Sequence, residues 1–189
     1  MRYPYALDDY IAEVIGYMQD NGVEKPHVIA HSFGGRIAIK AAASYPDLFD
    51  KIILTGAAGL RPKRSFSYYK KRIGYLLKRR FVSKEKLEKY FSEDYKKLSP
   101  VMKESFKKIV NEYLDGYLSG VNNPTLLLWG KEDRETPLYM AKRIVKGIKN
   151  SELITLNGGH FCFIDDPVYF NKIADEFFKE EQNDIKRSE

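Results

Sequence analysis

The 189-residue chain has one cysteine, three histidines and one tryptophan. A single cysteine, Cys162, allows neither an internal disulfide nor a cluster of thiolate ligands, and three histidines leave little for a metal site. We therefore predict no structural metal, and we expect no bound cofactor.

Long hydrophobic runs are also missing. No apolar run approaches the roughly 20 residues needed to span a bilayer, and the opening Met-Arg-Tyr-Pro does not begin the apolar segment of a signal peptide. The sequence therefore predicts no membrane span and a cytoplasmic location. With 43% hydrophobic and 31% charged residues, the composition is that of a globular protein, which excludes collagen-like and low-complexity chains.

Charge is distributed unevenly along the chain, whose formal net charge is +6. Residues 61–120 contain 17 Lys and Arg against 7 Asp and Glu, whereas the remainder contains 15 against 19. This pattern indicates a basic, aromatic insertion within an acidic host domain. We assign the host to residues 1–60 and 122–189, and the insertion to residues 61–121.

Short apolar runs alternate with helical patterns in the host. Runs of this kind, each followed by an amphipathic helix, are typical of a parallel sheet covered on both faces. We therefore predict an α/β fold with a mostly parallel sheet of about four strands flanked by helices. The predicted strands are 27–30, 51–55, 125–129 and 152–156; the predicted helices are 7–18, one ending before Pro46, one opening at Pro137 and one from 166 to 181.

The insertion shows only helical spacing. Its three predicted helical segments are 69–77, 87–91 and 100–117, and no strand-like run interrupts them. Eleven aromatic residues lie in 61–121, which suggests the wall of an apolar pocket.

A candidate nucleophile, Ser32, lies between the first predicted strand and the second helix. The segment from Ala30 to Gly34 fits the pattern small-x-Ser-x-Gly of a sharp strand-to-helix turn. Side chains two positions before and after the serine are expected to collide in such a turn, and Ala30 stands where glycine is usual. The alternative role for Ser32 is a helix N-cap.

A serine nucleophile needs a base, and the base needs an orienting carboxylate. His160 follows the fourth predicted strand and Asp133 follows the third. Carboxyl ends of parallel strands lie at the edge of an α/β sheet where ligands bind. Glu132 and Glu135 are rivals for the carboxylate, although the position of Asp133 before the helix at 137 favours it.

The remaining polar candidates are expected to be structural. We expect His31 to pack or hydrogen-bond within the turn rather than act as the base, and His27 to support the start of a strand. Cys162 is expected to be buried packing. Asp165 and Asp166 are expected to cap the last helix.

Three segments together carry a resemblance to a known family. They are H-S-F-G-G-R from residue 31, W-G-K-E-D from residue 129 and G-G-H-F from residue 158. With them, the chain resembles the α/β-hydrolase superfamily, in which the triad follows the order Ser, Asp, His. The resemblance runs from about residue 5 to residue 178.

The resemblance implies roles for particular residues. Ser32 would be the nucleophile, His160 the base, Asp133 the orienting carboxylate and the Phe33 N–H an oxyanion donor. Residues 61–121 would form a helical cap, and the substrate would be a small molecule with an apolar acyl group, joined as an ester, a thioester or a similar activated carbonyl. Serine at the turn differs from the dehalogenase and epoxide-hydrolase branches, which place an aspartate there.

One part of the family pattern is missing. In the family, further strands precede the turn, and a loop among them carries a His-Gly pair that supplies a second oxyanion donor. No histidine here is followed by glycine, so catalysis is expected to be impaired, since one lost donor costs about 10²–10³ in kcat.

The predicted strand at 27–30 would also lie at an exposed edge of the sheet, because the strands that precede it in the family are missing. We favour an incomplete chain over strands supplied by another chain, or dimerisation or aggregation through this edge.

An alternative function remains open. A non-catalytic or degenerate member of the family would bind an anionic partner through the basic clusters at 70–72 and 78–80. A solvated helix face explains these clusters better, and no motif indicates nucleic-acid binding. The predicted triad would also support acyl transfer, carbon–carbon bond hydrolysis or peptidase chemistry, and the sequence does not choose among them.

Overall fold

The computed structural model describes residues 3–63, 95 and 97–187, with backbone alone for 180–187. The predicted helices at 69–77 and 87–91, and both basic clusters, lie outside these residues.

The chain divides into two compact units. One comprises Met1–Ala6 and Arg61–Asn111, and the other comprises Leu7–Leu60 and Glu112–Glu189. Residues 112–121, which the sequence analysis assigned to the insertion, therefore belong to the second unit.

The second unit contains one sheet of four parallel strands, in the spatial order β1-β2-β3-β4. This confirms the predicted fold class, and each strand lies within one or two residues of its predicted position. The strands are β1 (Val28–His31), β2 (Ile52–Thr55), β3 (Thr125–Gly130) and β4 (Ser151–Leu156).

Helices follow or precede each strand. Pro137 stands at the N-cap of α4, where its fixed φ suits a helix start. No helix among the described residues is long and apolar enough to cross a bilayer. The helices are α1 (Leu7–Asp20), α2 (Phe33–Ser44), α3 (Pro100–Asn111), α4 (Leu138–Gly147), the short α5 (Cys162–Asp165) and α6 (Pro167–Arg187), which extends beyond its predicted end at 181.

β3 is buried along its whole length because both faces of the strand are covered. Leu127 and Trp129 of β3 belong to the core cluster that contains residues of α1, α2 and α4. Leu126 and Leu128, which alternate with them, belong to the cluster that contains residues of α5 and α6. This alternation fits the two-residue period of a strand and explains why residues 126–129 are all apolar.

α3 ends earlier than its apolar pattern predicts. The helix stops at Asn111 rather than at Tyr117, because backbone groups after it find partners outside a helix. The Glu112 carbonyl accepts a hydrogen bond from the Arg36 guanidinium at 2.8 Å, and the Leu114 N–H donates to the Gly59 carbonyl at 3.0 Å. Leu114 is fully buried in the second unit.

In the first unit, α3 is tied to the segment near the start of the chain. The Ser105 hydroxyl accepts a hydrogen bond from the Tyr5 N–H at 2.9 Å. The Lys108 ammonium donates to the Pro4 carbonyl at 3.0 Å.

β1 lies at one end of the sheet, and no described residue pairs with its outer edge. The side chain of Ile29 is 52% exposed. An apolar groove of about 400 Å³ runs beside the strand, lined by residues of α1, β1 and α2. Pairing of this edge with another chain stays a prediction.

Gly35, in the first turn of α2, allows the helix to lie close to the chain after β2 because it has no side chain. A methyl group there would lie 2.4 Å from Ala57 Cβ and 2.9 Å from Ala57 Cα. A methyl group at Gly34 would meet nothing within 4 Å. The steric limit that the sequence analysis placed at Gly34 therefore lies at Gly35.

Replacing Gly35 with alanine is expected to destabilise the fold by about 1–3 kcal/mol through overpacking. The matched control is Gly34→Ala, which adds the same methyl group into open space and removes a helical glycine. Urea unfolding of the two variants measures the difference. Equal unfolding midpoints would show that the contact with Ala57 does not limit the packing.

Candidate active site

Ser32 lies in a strained turn between β1 and α2. Its backbone has φ 49° and ψ −109°, a conformation that costs a non-glycine residue about 1–3 kcal/mol. The turn is held from both sides, because the Ser32 N–H donates to the Thr55 carbonyl and the Ser32 carbonyl accepts from the Ala58 N–H, each at 3.0 Å. Ser32 occupies the N-cap position of α2 but makes no side-chain capping bond, so its hydroxyl serves another contact.

Asp133 lies in the loop after β3 and is almost completely buried. Its Oδ1 accepts the N–H groups of Glu135 and Thr136 at 2.9 and 2.8 Å, and its Oδ2 accepts the Thr136 hydroxyl at 2.7 Å. Burial acts to raise the pKa of Asp133. Hydrogen bonds from His160 and from the Thr136 backbone and hydroxyl outweigh it, and they hold the pKa below its usual value. The carboxylate is therefore ionised at neutral pH.

His160, in the loop after β4, connects the other two predicted site residues. Its Nδ1 lies 2.9 Å from Asp133 Oδ2, and its Nε2 lies 3.1 Å from Ser32 Oγ. Because an ionised carboxylate only accepts, Nδ1 carries the proton. Nε2 is then left as the acceptor for the Ser32 hydroxyl. The structure thus brings together the three side chains that the sequence placed at the carboxyl ends of separate strands.

The loops that carry Asp133 and His160 are joined by backbone hydrogen bonds. The Lys131 N–H donates to the Leu156 carbonyl, and the Glu132 N–H donates to the Gly158 carbonyl, both at 2.9 Å. The distance between the carboxylate and the imidazole is therefore set by the backbone as well as by their own contact.

The two aspartates after His160 differ in their contacts. The Asp165 carboxylate accepts a hydrogen bond from the N–H of Gly159 at 2.9 Å. It therefore stabilises the loop that carries His160. The Asp166 carboxylate accepts the N–H of Tyr169 at 3.2 Å in the first turn of α6. The expected capping role is therefore correct for Asp166 and wrong for Asp165.

The rival carboxylates occupy different positions from Asp133. Glu135 Oε2 lies 3.5 Å from Nε2 of His160, the nitrogen that faces Ser32, and its side chain is 69% exposed. Glu132 is exposed in the same loop. Asp133 is thus the carboxylate of this loop that holds Nδ1.

His31 packs beside the site. Its Nδ1 lies 3.1 Å from the Thr55 carbonyl, and its ring centroid lies 4.7 Å from that of His160 and 5.0 Å from that of Phe161. Burial, and secondarily the neighbouring His160, lowers the pKa of His31. His31 is therefore neutral at neutral pH, consistent with packing and hydrogen bonding in the turn.

Gly56 leaves room for both imidazole rings, a feature that the sequence analysis missed. A methyl group at this position would lie 2.9 Å from both Nδ1 and Cε1 of His160 and 3.1 Å from Cε1 of His31. Its φ of +52° also favours glycine. The only indication of this role in the sequence was that Gly56 directly follows a predicted strand.

The other polar candidates have structural contacts. Cys162 is fully buried with its Sγ 3.5 Å from Thr55 Oγ1, and burial raises the pKa of the thiol. His27 stacks on Phe178 and its Nδ1 lies 3.2 Å from an Asp50 carboxylate oxygen. Within the described ranges, no three His, Cys, Asp or Glu side chains are arranged to hold a metal ion.

The strained serine turn, the strand-end loops and the parallel sheet are features of one class of protein. The family model described as the alpha/beta hydrolase family matches residues 2–173. The chain therefore belongs to the alpha/beta hydrolase family.

Similar proteins include hydrolases from several bacteria. The chain is 28% identical to the uncharacterized hydrolase YugF of Bacillus subtilis, over 93% of this chain and 73% of that protein. It is 23% identical to the 2-hydroxy-6-oxo-6-phenylhexa-2,4-dienoate hydrolase of Comamonas testosteroni, over 88% and 67% of the two chains. A solved meta-cleavage product hydrolase from Pseudomonas fluorescens superposes with a TM-score of 0.68 at 25% identity, covering 95% of this chain and 74% of that one.

Proposed function

We propose that the chain is a serine hydrolase that acts on an ester, a thioester or a similar activated carbonyl. The main support is one continuous set of contacts, from Ser32 Oγ to His160 Nε2 at 3.1 Å and from His160 Nδ1 to Asp133 Oδ2 at 2.9 Å. This is the arrangement that a serine nucleophile, a general base and an orienting carboxylate require.

In the proposed acylation step, the Ser32 oxygen attacks the carbonyl carbon while its proton moves to Nε2 of His160. The tetrahedral intermediate collapses, and Nε2 returns that proton to the leaving group, which departs with the electron pair of the broken bond. Asp133 keeps the proton on Nδ1 and stabilises the imidazolium. Water then attacks the acyl carbon while Nε2 takes one of its protons. Collapse of this second intermediate breaks the bond to Ser32 Oγ, Nε2 returns the proton to that oxygen, and the carboxylic acid is released.

The oxyanion is assigned to the backbone N–H of Phe33, the first residue of α2. A helix N-terminus carries partial positive charge and unpaired N–H groups, which stabilise a developing anion. A second donor beside the Phe33 N–H would be expected to raise kcat by about 10²–10³.

Apolar side chains flank the proposed nucleophile and base. Phe33 and Phe161, the residues that directly follow Ser32 and His160, are 39% and 48% exposed. Exposed aromatic rings beside a reactive hydroxyl favour a substrate with an apolar acyl group. Residues 61–111 remain the proposed helical cap, without the segment 112–121 that belongs to the second unit, and substrate choice is expected to depend on them.

Hydrolysis of a carbon–carbon bond next to a carbonyl is the second candidate reaction. Its support is the relatives named as a dienoate hydrolase and as a meta-cleavage product hydrolase. Loss of the absorbance of a 2-hydroxy-6-oxodienoate would identify this activity.

The proposed function is tested with p-nitrophenyl esters of increasing acyl length. We expect release of p-nitrophenol above the buffer rate and a preference for acyl chains longer than acetyl, with both lost in Ser32→Ala. Ser44→Ala is the matched control, because Ser44 lies at the other end of α2 from Ser32. It should release p-nitrophenol at the wild-type rate. Equal rates for wild type and Ser32→Ala would contradict the proposal.

A further inference from the structure

We infer that Thr136 is a positioning residue for the proposed catalysis, because it fixes the carboxylate that holds His160, and that Trp129 in turn fixes Thr136. The inference rests on the proposed function. It concerns side chains to which the sequence analysis gave no role in the site.

Thr136 contacts Asp133 from two directions. Its backbone N–H donates to Oδ1 at 2.8 Å and its hydroxyl donates to Oδ2 at 2.7 Å. One residue therefore holds both oxygens of the carboxylate, which restricts rotation about the bond between Cβ and Cγ. The residue is itself buried, with 6% of its surface exposed, so water does not readily substitute for the hydroxyl.

The Thr136 hydroxyl shares its acceptor with the imidazole. Asp133 Oδ2 also accepts from His160 Nδ1 at 2.9 Å, and Thr136 Oγ1 lies 3.4 Å from that nitrogen. Because Nδ1–H and the hydroxyl both donate to Oδ2, its lone pairs are directed by two donors at once. Removing the hydroxyl would leave the imidazole as the remaining side-chain donor to Oδ2 among the described residues.

Trp129 anchors Thr136 from the sheet. Its indole Nε1–H donates to the Thr136 carbonyl at 2.7 Å, and its side chain is fully buried in β3. A rigid strand residue thus sets the position of the loop backbone from which both Thr136 contacts arise. Residues that hold the neighbours of a reacting side chain often determine how well that side chain is oriented.

Thr136→Val tests the hydroxyl, because it keeps the branched shape and removes the donor. We expect kcat for a p-nitrophenyl ester to fall about 10-fold to 100-fold, the range expected for one hydrogen bond to a charged group, with KM changed by less than about twofold. Thr136→Ser restores the hydroxyl and should retain kcat within about threefold of wild type.

Two further variants separate positioning from general damage. Trp129→Phe removes the indole donor, and it should lower kcat with little change in KM. Thr125→Val is the matched control: its hydroxyl donates to the Asn123 carbonyl at 2.9 Å, at the amino end of the same strand. It is expected to lower the unfolding midpoint without lowering kcat.

A readout that needs no substrate keeps this inference separate from the proposed function. The low-field proton resonance of His160 Nδ1–H is expected to shift or broaden in Thr136→Val and to match wild type in Thr136→Ser. The positioning role of Thr136 is wrong if Thr136→Val leaves both kcat and this resonance unchanged, or if Thr136→Ser is as impaired as Thr136→Val. In either case, ester hydrolysis by the wild type would still support the proposed function. If wild type hydrolyses no ester, the proposed function fails, and an unchanged resonance in Thr136→Val would overturn the positioning role as well.

Discussion

Replacing Asp133 with asparagine is expected to lower kcat for ester hydrolysis by about 10⁴-fold at neutral pH. The asparagine amide is close to the carboxylate in shape, but it no longer requires a proton on Nδ1 of His160. If the amide nitrogen faces the ring, Nδ1 becomes the acceptor and the proton moves to Nε2. A protonated Nε2 cannot accept the Ser32 proton, so the attack on the carbonyl is slowed while substrate binding is retained.

The matched control for Asp133→Asn is Glu132→Gln, which removes an exposed carboxylate from the same loop. Steady-state kinetics should show kcat unchanged within about twofold in this control and KM little changed in either variant. Similar kcat values for the two variants would mean that the carboxylate of Asp133 does not act through His160.

Replacing Gly56 with alanine is the second substitution with a large expected effect. The added methyl group would lie 2.9 Å from two ring atoms of His160, closer than real contacts allow, so the ring has to move away from Ser32. A displacement of about 1 Å can cost about 100-fold in rate, and we expect kcat to fall by about that factor. The φ of +52° adds backbone strain on the order of 1 kcal/mol, so a lower unfolding midpoint is also expected.

The comparison for Gly56→Ala is Gly16→Ala in α1, where a methyl group meets nothing within 4 Å. That variant should keep the wild-type kcat and unfold at the same urea concentration or a higher one. If Gly56→Ala retains wild-type kcat although it is less stable, the contact with the imidazole has no catalytic consequence.

The sheet could be predicted because its strands are short, continuously apolar and separated by helical patterns. Ile53 and its neighbours in β2 are all buried, which is what a strand covered on both faces requires. Parallel strands place their carboxyl ends at one edge, so the positions of Ser32, Asp133 and His160 after three different strands followed from the same reasoning.

Contacts between distant segments could not be predicted in this way. Whether a side chain is excluded at Gly34 or at Gly35 depends on where the chain after β2 passes. That segment is distant from the turn in the sequence. The same holds for Gly56, whose importance comes from a ring that is more than a hundred positions further along the chain. Sequence spacing carries no information on these distances.

The end of α3 shows a different limit. Tyr113, Leu114 and Tyr117 continue the apolar spacing of the helix, so the pattern favours its extension. In the structure, the backbone after Asn111 bonds to Gly59 and Arg36 instead, and Leu114 packs into the second unit. Apolar spacing identifies buried residues, but it does not say which core buries them.

Covalent labelling tests the reactivity of Ser32 most directly. Wild-type protein is treated with a fluorophosphonate, and the modified residue is located by mass spectrometry of its peptides. We expect one phosphonyl group on Ser32, loss of the label in Ser32→Ala, and much slower labelling in His160→Ala. Absence of label on Ser32 in folded protein, or equal labelling with and without His160, would contradict a hydroxyl activated by the neighbouring imidazole.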